Sequence, residues 1–453
     1  MRGKIAATAR QEKNQITEGV IWKQLLIFFF PILLGTFFQQ LYNTADAIIV
    51  GKFVGKQALA SVGGTSNTII NLFVGFFVGL SSGATVIISQ FFGGQDDEGV
   101  SHAVHTSIAL SLVGGVLIMV VGILVAPWAL RLLGTPDDVF DGSLTYMRVY
   151  FCGIIASLLY NIGTGILRAI GDSRRPLYFL MVACFVNIIL DILLVLGCQL
   201  GVLGVALGTV ISQCVSAVLV IVTLLRSDNA CKLIPKQIRL DIKILQRILV
   251  IGFPAGLQSV MYTISNMIIQ AGVNSFGTDT MAAWTAYGKI DSLFWMIINA
   301  FGIAITTFVG QNYGAKMYER MKKSVRVCLA MSFGTTIFIS IVLVLGGQYI
   351  FELFTNDAEV LRIGMEILRF TVPTFVCYVC IEILSGAARG TGDTLIPTLI
   401  TAIGVCLLRA IWVLGVVPRH HTILMVVFSY PLTWVISSTA FILYYLHIKK
   451  KWH

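Results

Sequence analysis

The chain has 453 residues, of which 57% are hydrophobic and only 12% are charged, and its formal net charge is +10. A soluble globular protein has roughly 45–50% apolar and about 25% charged residues. The deficit is also local, because no Asp, Glu, Lys or Arg occurs from 57 to 95 or from 103 to 130. A transmembrane helix needs about 20 mainly apolar residues. The composition therefore excludes a water-soluble core and predicts an all-α polytopic membrane protein.

Hydropathy and helix breakers predict twelve transmembrane helices in chain order. The segment 1–17 before them is polar and basic and lacks the apolar core of a signal peptide, so we expect the first hydrophobic segment to be retained. The predicted helices span residues 23–50, 58–91, 101–126, 143–167, 176–197, 202–225, 246–275, 280–312, 324–346, 363–388, 395–417 and 422–446.

A repeat with an offset of 221 residues indicates that the chain contains two copies of one unit. The stretch GILRAIGDSRRP at 165–176 recurs as GAARGTGDTLIP at 386–397, and Gln90 matches Gln311. Because each copy has six helices, both enter the membrane from the same side. We therefore predict two pseudo-symmetric six-helix bundles in a parallel repeat. They are an N-lobe at 1–226 with helices 1–6, a cytoplasmic linker at 227–243 and a C-lobe at 244–453 with helices 7–12.

The distribution of basic residues predicts the orientation. If the N-terminus lies inside, the inner segments hold 23 of the 32 Lys and Arg residues and the outer loops hold five. The positive-inside rule then places both termini in the cytoplasm. We expect a multi-pass monomer of the cytoplasmic membrane whose partner is the lipid bilayer. The basic balance follows from this bias and requires no nucleic acid.

Polar residues in the first copy fall at a common depth of roughly 8–10 Å below the outer surface, at 1.5 Å per residue. Asp46 is on helix 1, Asn187 and Asp191 are on helix 5, and Thr209 is on helix 6. An ionisable group in the membrane costs about 2.5–3.5 kcal/mol and therefore indicates function. Two carboxylates, an amide and a hydroxyl would hold a proton, or Na⁺ as a metal site, for ion coupling. The alternative is a structural hydrogen-bond network that joins helices 1, 5 and 6.

The second copy has no acid at the aligned positions, which are about Ile269, Leu408, Trp412 and Tyr430. Its own charges include Lys289 and Asp291 on helix 8, a possible polar cluster in the C-lobe. We expect Asp291 to form an ion pair with Arg409 across helices, with contact to substrate or coupling ion as the alternative. The residues that we predict for a substrate cavity are Gln39, Met261, Met296, Glu382 and Arg409.

Several catalytic motifs are missing from the sequence. It contains no GxxxxGK[ST] for ATP hydrolysis, no HExxH and no GxSxG in an elbow context. His102 and His105 lie near a helix start without a convincing ligand set. We therefore expect no catalytic residues, no enzyme activity and no cofactor other than a coupling ion.

The sequence resembles the multidrug and toxic compound extrusion (MATE) family over nearly its whole length. The resemblance implies two six-helix bundles in a V that open alternately to each side. It also implies export of organic, often cationic compounds against entry of Na⁺ or H⁺, with the family's acidic N-lobe site mapping to Asp46, Asn187, Asp191 and Thr209. The chain departs from some members in having no acid on helix 7. The motifs that carry the resemblance are LYNTADAIIVGKFVG (41–55), SQFFGGQ (89–95), GTGILRAIGDSRRP (163–176), VNIILDILLV (186–195), GVLGVALGTVISQ (201–213), VGQNYGAK (309–316) and GAARGTGDTLIP (386–397).

These observations predict a secondary active multidrug efflux transporter that works by antiport and alternating access. The first alternative is a flippase for a lipid-linked saccharide, which has a related architecture but would favour a basic cavity. An intramembrane enzyme would need a catalytic dyad or metal cluster, and a passive channel would ignore the ion gradient. The sequence leaves open whether H⁺ or Na⁺ is the coupling ion.

Overall fold

The computed structural model describes residues 15–353, residue 355 and residues 357–452, so the predicted cytoplasmic N-terminus lies outside the described part. Within that part every regular element is helical and no strand occurs, which confirms the predicted fold class. Among the described residues, eleven helices are long and apolar enough to cross a membrane, and a pair bent by 50° brings the number to twelve when it is counted as one span. The spans are α1 (Ile21–Val54), α2 (Lys56–Gly93), α3 (Asp97–Leu132), α4 (Asp137–Cys152 with Ile154–Ala169), α5 (Arg174–Gly197), α6 (Gly201–Leu225), α7 (Ile242–Asn274), α8 (Thr278–Gly314), α9 (Tyr318–Glu352), α10 (Ala358–Gly390), α11 (Leu395–Gly415) and α12 (Ile423–Lys449).

Most spans are longer than the apolar runs that predicted them, most clearly α3 and α9, whereas α11 ends two residues before its predicted end. Hydropathy marks only the membrane-embedded part of a helix, whereas the backbone hydrogen bonds continue until a cap ends them. At the start of α3, the side chain of Asp96 accepts a hydrogen bond from the N–H of Gly99. Large apolar side chains on the outer faces of these two spans are exposed, including Leu124 on α3 and Leu345 on α9. This exposure fits a surface that contacts lipid.

Three spans contain a π-helical turn. The turns lie at Val50–Val54 in α1, at Ile192–Gly197 in α5 and at Ala402–Leu407 in α11. Two of them follow an acidic residue of the predicted N-lobe site, since Asp46 precedes the first and Asp191 ends the helix before the second. Single π turns in α-helices occur frequently at functional sites. No proline lies within any of these turns, so the sequence contained no signal for them.

The first helix of each copy crosses to the other lobe. Phe28 and Phe29 on α1 belong to the core of the C-lobe, and the ring of Phe29 stacks on Phe301 with centroids 4.1 Å apart. Conversely, Ile244 and Ile248 on α7 belong to a core formed with α2, α3 and α4. The boundary at 226–244 therefore divides the repeat in the chain but does not separate the hydrophobic cores.

Glycines allow α2 and α7 to approach closely across the lobes. A Cβ added at Gly79 would lie 2.4 Å from the N atom of Gly256. A Cβ added at Gly83 would lie 2.4 Å from the backbone oxygen of Ile248, beside Gly252. The two backbones therefore touch, and no larger residue fits without separating the helices.

A pair of reciprocal hydrogen bonds closes the space between the lobes at the linker end, where α6 ends and α7 begins. The Gln90 amide donates to the oxygen of Gly390 at 2.9 Å, and the Gln311 amide donates to the oxygen of Ala169 at 2.6 Å. Both donors and both acceptors are related by the offset of 221 residues. We call these four residues the linker-end gate. The duplication in the sequence therefore produces a two-fold symmetric contact between the lobes.

The linker packs against α3, and the residues that make this contact were not identified from the sequence. His105 accepts a hydrogen bond from the N–H of Ile234 at 2.9 Å through Nε2, and its Nδ1 lies 2.6 Å from the oxygen of Ser101. Asp241 caps α7, and the backbone N–H of Ile244 lowers the pKa of its carboxyl group. These contacts hold the segment that joins the two copies against the N-lobe.

We expect the substitution Gly83→Ala to destabilise the fold by about 1–3 kcal/mol, because the added methyl group overpacks the α2–α7 contact. Thermal unfolding of the purified protein in detergent measures this effect. The control is Gly334→Ala on α9, where an added Cβ meets nothing within 4 Å. The control should keep or raise the unfolding midpoint, and an unchanged midpoint for Gly83→Ala would contradict the close approach.

The double substitution Gln90→Leu and Gln311→Leu should open the gate, because it removes both hydrogen bonds between the lobes. Two bonds of this kind shift an equilibrium by roughly tenfold or more. Distance measurement by electron paramagnetic resonance between nitroxide labels at residues 98 and 319, after replacement of the native cysteines, would detect a longer component. Gln348→Leu, which removes only a hydrogen bond within α9, is the control. Identical distance distributions for the double variant and the control would show that the gate contributes nothing to closure.

Candidate functional site

The structure brings Asp46, Asn187, Asp191 and Thr209 together between α1, α5 and α6. Each is 5% exposed or less. The carboxyl group of Asp46 lies within interaction range of Asp191 and Asn187, and the Thr209 hydroxyl lies 3.4 Å from its Oδ2. The sequence placed these four residues at one depth in the membrane, and the structure shows that their side chains also face one another. We call these four residues the acidic N-lobe site.

Most polar atoms of this site have no hydrogen-bond partner among the described residues. These atoms are Oδ1 of Asp46, both carboxyl oxygens of Asp191, and the amide oxygen and nitrogen of Asn187. Buried polar atoms are nearly always paired, because an unpaired one costs free energy. A proton shared between the carboxyl groups, or a cation bound by the oxygens, would provide partners for the unpaired oxygens. Among the described residues, no group of three or more His, Cys, Asp or Glu side chains is placed so that it could hold a metal ion.

Gly208 on α6 makes room for the acidic N-lobe site. A Cβ at this position would lie 2.2 Å from Oδ1 of Asp191. Only glycine therefore allows the carboxyl group to lie against the backbone of α6. The small residues of the GVLGVALG stretch are a sequence signal of close helix packing, but they do not by themselves indicate this role.

A separate cavity of about 790 Å³ lies between the lobes, and none of the four residues of the acidic N-lobe site lines it. The gate closes the linker end, where Gln311 and Ala169 are fully buried. At the opposite end the lining residues Asn266, Gln270 and Gly288 are exposed. Among the described residues, the cavity is therefore closed at the linker end and open at the opposite end.

Only some of the residues predicted for the cavity line it. Glu382 and Arg409 do, whereas Gln39, Met261 and Met296 are not among the lining residues. Met261 instead packs against the core of the C-lobe, since residue type does not show which way a helix faces. Most of the aromatic lining was not identified from the sequence. It consists of Tyr262, Trp284, Tyr287, Trp295, Tyr378, Tyr430 and Trp434.

The predicted ion pair between Asp291 and Arg409 is not formed in the structure. Asp291 accepts hydrogen bonds from the indole of Trp295 at 2.6 Å and from the hydroxyl of Tyr287 at 3.3 Å. These partners are one turn away on the same helix, so the acid is satisfied locally. The other member of the predicted cluster, Lys289, is exposed and does not line the cavity.

Glu382 forms an ion pair near the linker end of the cavity. Its Oε1 lies 3.5 Å from Nη2 of Arg389, and its Oε2 accepts from the hydroxyl of Tyr378 at 3.4 Å. Gly302 on α8 provides the space, because a Cβ there would lie 2.1 Å from Oε1 of Glu382. The acid therefore has partners from its own helix and is held against α8.

Known protein sequences match this chain over most of its length. A family model described as MatE matches residues 31–193 and again residues 254–414. The "Probable multidrug resistance protein YoeA" of Bacillus subtilis is 28% identical over 445 residues, which cover 95% of each chain. The "Multidrug export protein MepA" of Staphylococcus aureus (strain MW2) is 22% identical over 84% of this chain and 85% of its own.

Solved structures match the fold closely. A MOP superfamily transporter from Pyrococcus furiosus superposes with a TM-score of 0.90 at 22% identity, over 98% of this chain and 99% of its own. A structure described as the outward-facing conformation of a multidrug resistance MATE family transporter gives the same values. The two matched segments have the same order and spacing as the repeat found in the sequence. The chain therefore belongs to the MatE family, the multidrug and toxic compound extrusion transporters.

Proposed function

We propose that the protein is a secondary active multidrug exporter that exchanges organic compounds for H⁺ or Na⁺ by alternating access. The observation that carries this proposal is the acidic N-lobe site. Most of its buried polar atoms have no partner among the described residues, and the site is separate from a cavity that is closed at one end. Antiport requires an ion and a cargo, and we propose that the ion binds at the acidic N-lobe site and the cargo in the cavity. The printed names of the relatives support multidrug export.

Helix α1 provides a physical connection between the two places. Its first half packs on the C-lobe through Phe28 and Phe29, and its second half carries Asp46. Pro31 and Gly35 lie between the halves and allow a bend. Neutralising the carboxyl groups would remove the drive to keep α1 in its present position, provided that the ion binds one state better than the other.

The positive-inside bias supports a cytoplasmic linker end in the cytoplasmic membrane, with both termini on that side. The conformation described above is then the outward-open state, with the gate closed towards the cytoplasm. The aromatic lining, together with Asp291 and Glu382, suits organic cations, because ring faces and carboxylates attract positive charge. We propose that the protein works as a monomer, without catalytic residues or a bound cofactor.

The lipid-linked saccharide flippase remains the second candidate because three arginines line the cavity, against two acids. A phosphate-bearing lipid would bind such groups. Drug resistance on overexpression supports the exporter, whereas a cell-wall defect on deletion supports the flippase.

We expect Asp191→Asn to abolish ion-driven efflux while the protein remains folded in the membrane, because an amide cannot take up the proton or neutralise the cation. Efflux from proteoliposomes, with Na⁺ and pH gradients imposed separately, measures this loss and identifies the ion. The control is Asp228→Asn in the exposed linker, which should transport as the wild type does. Wild-type efflux by folded Asp191→Asn protein would refute the proposed coupling site.

The substitution Thr209→Ala should separate the two ions. The hydroxyl donates to the oxygen of Val205 at 3.0 Å, which leaves its lone pair available as an oxygen ligand. If Na⁺ is the ion, losing this ligand should raise the half-saturating Na⁺ concentration by about tenfold or more. If H⁺ is the ion, the pH dependence should change little. An unaltered Na⁺ dependence in a Na⁺-driven protein would exclude Thr209 as a ligand.

A further inference from the structure

A short segment before α1 packs at the linker end of the molecule. It comprises residues 16–20, the end of a short helix and the turn that leads into α1, and we call it the N-terminal strap. Arg320 at the start of α9 holds this strap. Its Nε and Nη2 donate to the oxygen of Ile16 at 3.0 and 2.9 Å, and Nη2 also donates to the oxygen of Gly19. The carboxylate of Glu18 adds attraction at longer range. One guanidinium therefore fixes two backbone oxygens of the strap.

Ile16 connects the strap to both lobes. Its side chain is 5% exposed and belongs to the core of the C-lobe. It also reaches the N-lobe loop between α4 and α5, where a Cβ added at Gly171 would lie 3.3 Å from Cδ1 of Ile16. Gly171 has a φ of +95°, a conformation that favours glycine, so no side chain separates this loop from Ile16. Because Gly171 lies two residues beyond Ala169, the strap lies beside that half of the linker-end gate.

The two copies differ in what contacts the loop beside the gate. At Gly392, the equivalent of Gly171, an added Cβ would lie 3.6 Å from Cδ1 of Ile251 on α7 itself. The linker before α7 packs instead on α3, where the hydroxyl of Thr106 accepts a hydrogen bond from the N–H of Asp241 at 3.3 Å. The segment before the first helix of each copy is therefore fixed to the third helix of the other copy. The strap before α1 additionally contacts a loop at the gate.

We propose that Arg320 is a positioning residue of the transport cycle, which holds the N-terminal strap so that Ile16 keeps the linker end closed. The closed conformation buries Ile16 between the C-lobe core and the loop at Gly171. Opening of the linker end moves this loop away and exposes an apolar side chain, which costs free energy. Without the bonds of Arg320 the strap has no fixed backbone position, so the contact with Gly171 weakens. The inference rests on the alternating access of the proposed function, and it names a residue that sets the balance between the two states.

The test measures the distance between nitroxide labels at residues 174 and 395. Both are exposed at the starts of α5 and α11, and they are related by the offset of 221 residues. Electron paramagnetic resonance on the full chain in lipid nanodiscs, after replacement of the native cysteines and without ion gradient or cargo, gives the ratio of open to closed linker ends. Arg320→Gln should raise this ratio by about tenfold or more, because charge-assisted hydrogen bonds to the strap are lost. Arg320→Lys, which keeps the charge but lacks the fork of donors, should raise it less.

A second variant, Ile16→Ala, removes the side chain that contacts Gly171 but keeps the backbone oxygen that Arg320 binds. It should raise the ratio in the same direction. If both residues act through one strap, the double variant should raise the ratio by less than the product of the two single effects, whereas structural losses at independent sites would multiply. The control is Arg326→Gln, an exposed arginine on the same helix, which should leave the ratio unchanged.

An unchanged ratio in folded Arg320→Gln protein would overturn the proposal. If the Arg320 variants fail to fold, an unchanged ratio in Ile16→Ala protein would overturn it. Single effects that multiply in the double variant would also count against a shared strap. No ion or cargo takes part in this measurement, whereas the test of Asp191→Asn measures ion-driven efflux. A failure of the proposed function and a failure of this inference therefore give different results.

Discussion

The burial of two carboxyl groups and an amide without sufficient hydrogen-bond partners is the constraint on which the rest of this structure depends. Asp46, Asn187 and Asp191 lie between helices in a region where unpaired polar atoms are costly. Gly208 leaves space for the carboxyl group of Asp191, and a π-helical turn follows each acid along its helix. We propose that a bound ion or proton stabilises this site, which is the dependence that an ion-driven transporter needs.

Helix α1 connects the acidic N-lobe site to the C-lobe. It contributes Asp46 to the N-lobe and the stacked ring of Phe29 to the C-lobe. The same helix therefore contacts both lobes, and this is the connection that the proposed coupling uses. The crossing of α7 to the other lobe repeats this arrangement, so the bundles are coupled twice at the linker end.

The repeat is preserved where the lobes meet and lost where ligands would bind. The gate uses a glutamine and a backbone oxygen from each copy, at the same offset. Asp46 and Asp191 have no acidic counterparts at the aligned positions of the C-lobe, whereas the aromatic rings that line the cavity and the partly unpaired guanidinium of Arg409 belong to the C-lobe. The duplication therefore accounts for the symmetric contact at the linker-end gate, whereas the two copies differ in the residues of the acidic N-lobe site and of the cavity.

The sequence by itself determined the class of fold, the duplication and the set of acidic N-lobe residues, because these depend on composition, offset and helical depth. Hydropathy located the twelve spans, and the i, i+4 spacing placed Asn187 and Asp191 on one helix face. Only the tertiary structure decided which faces meet. In the structure, Met261 packs against the C-lobe core, and Asp291 accepts a hydrogen bond from Trp295 on its own helix instead of pairing with Arg409. Helices α1 and α7 each pack against the core of the other lobe. The physical reason is that an apolar helix has similar side chains on all its faces. Its rotation and its partner helices are therefore set by close packing at glycines and by hydrogen bonds of the few polar atoms. Both kinds of contact require the neighbouring helices to be in place.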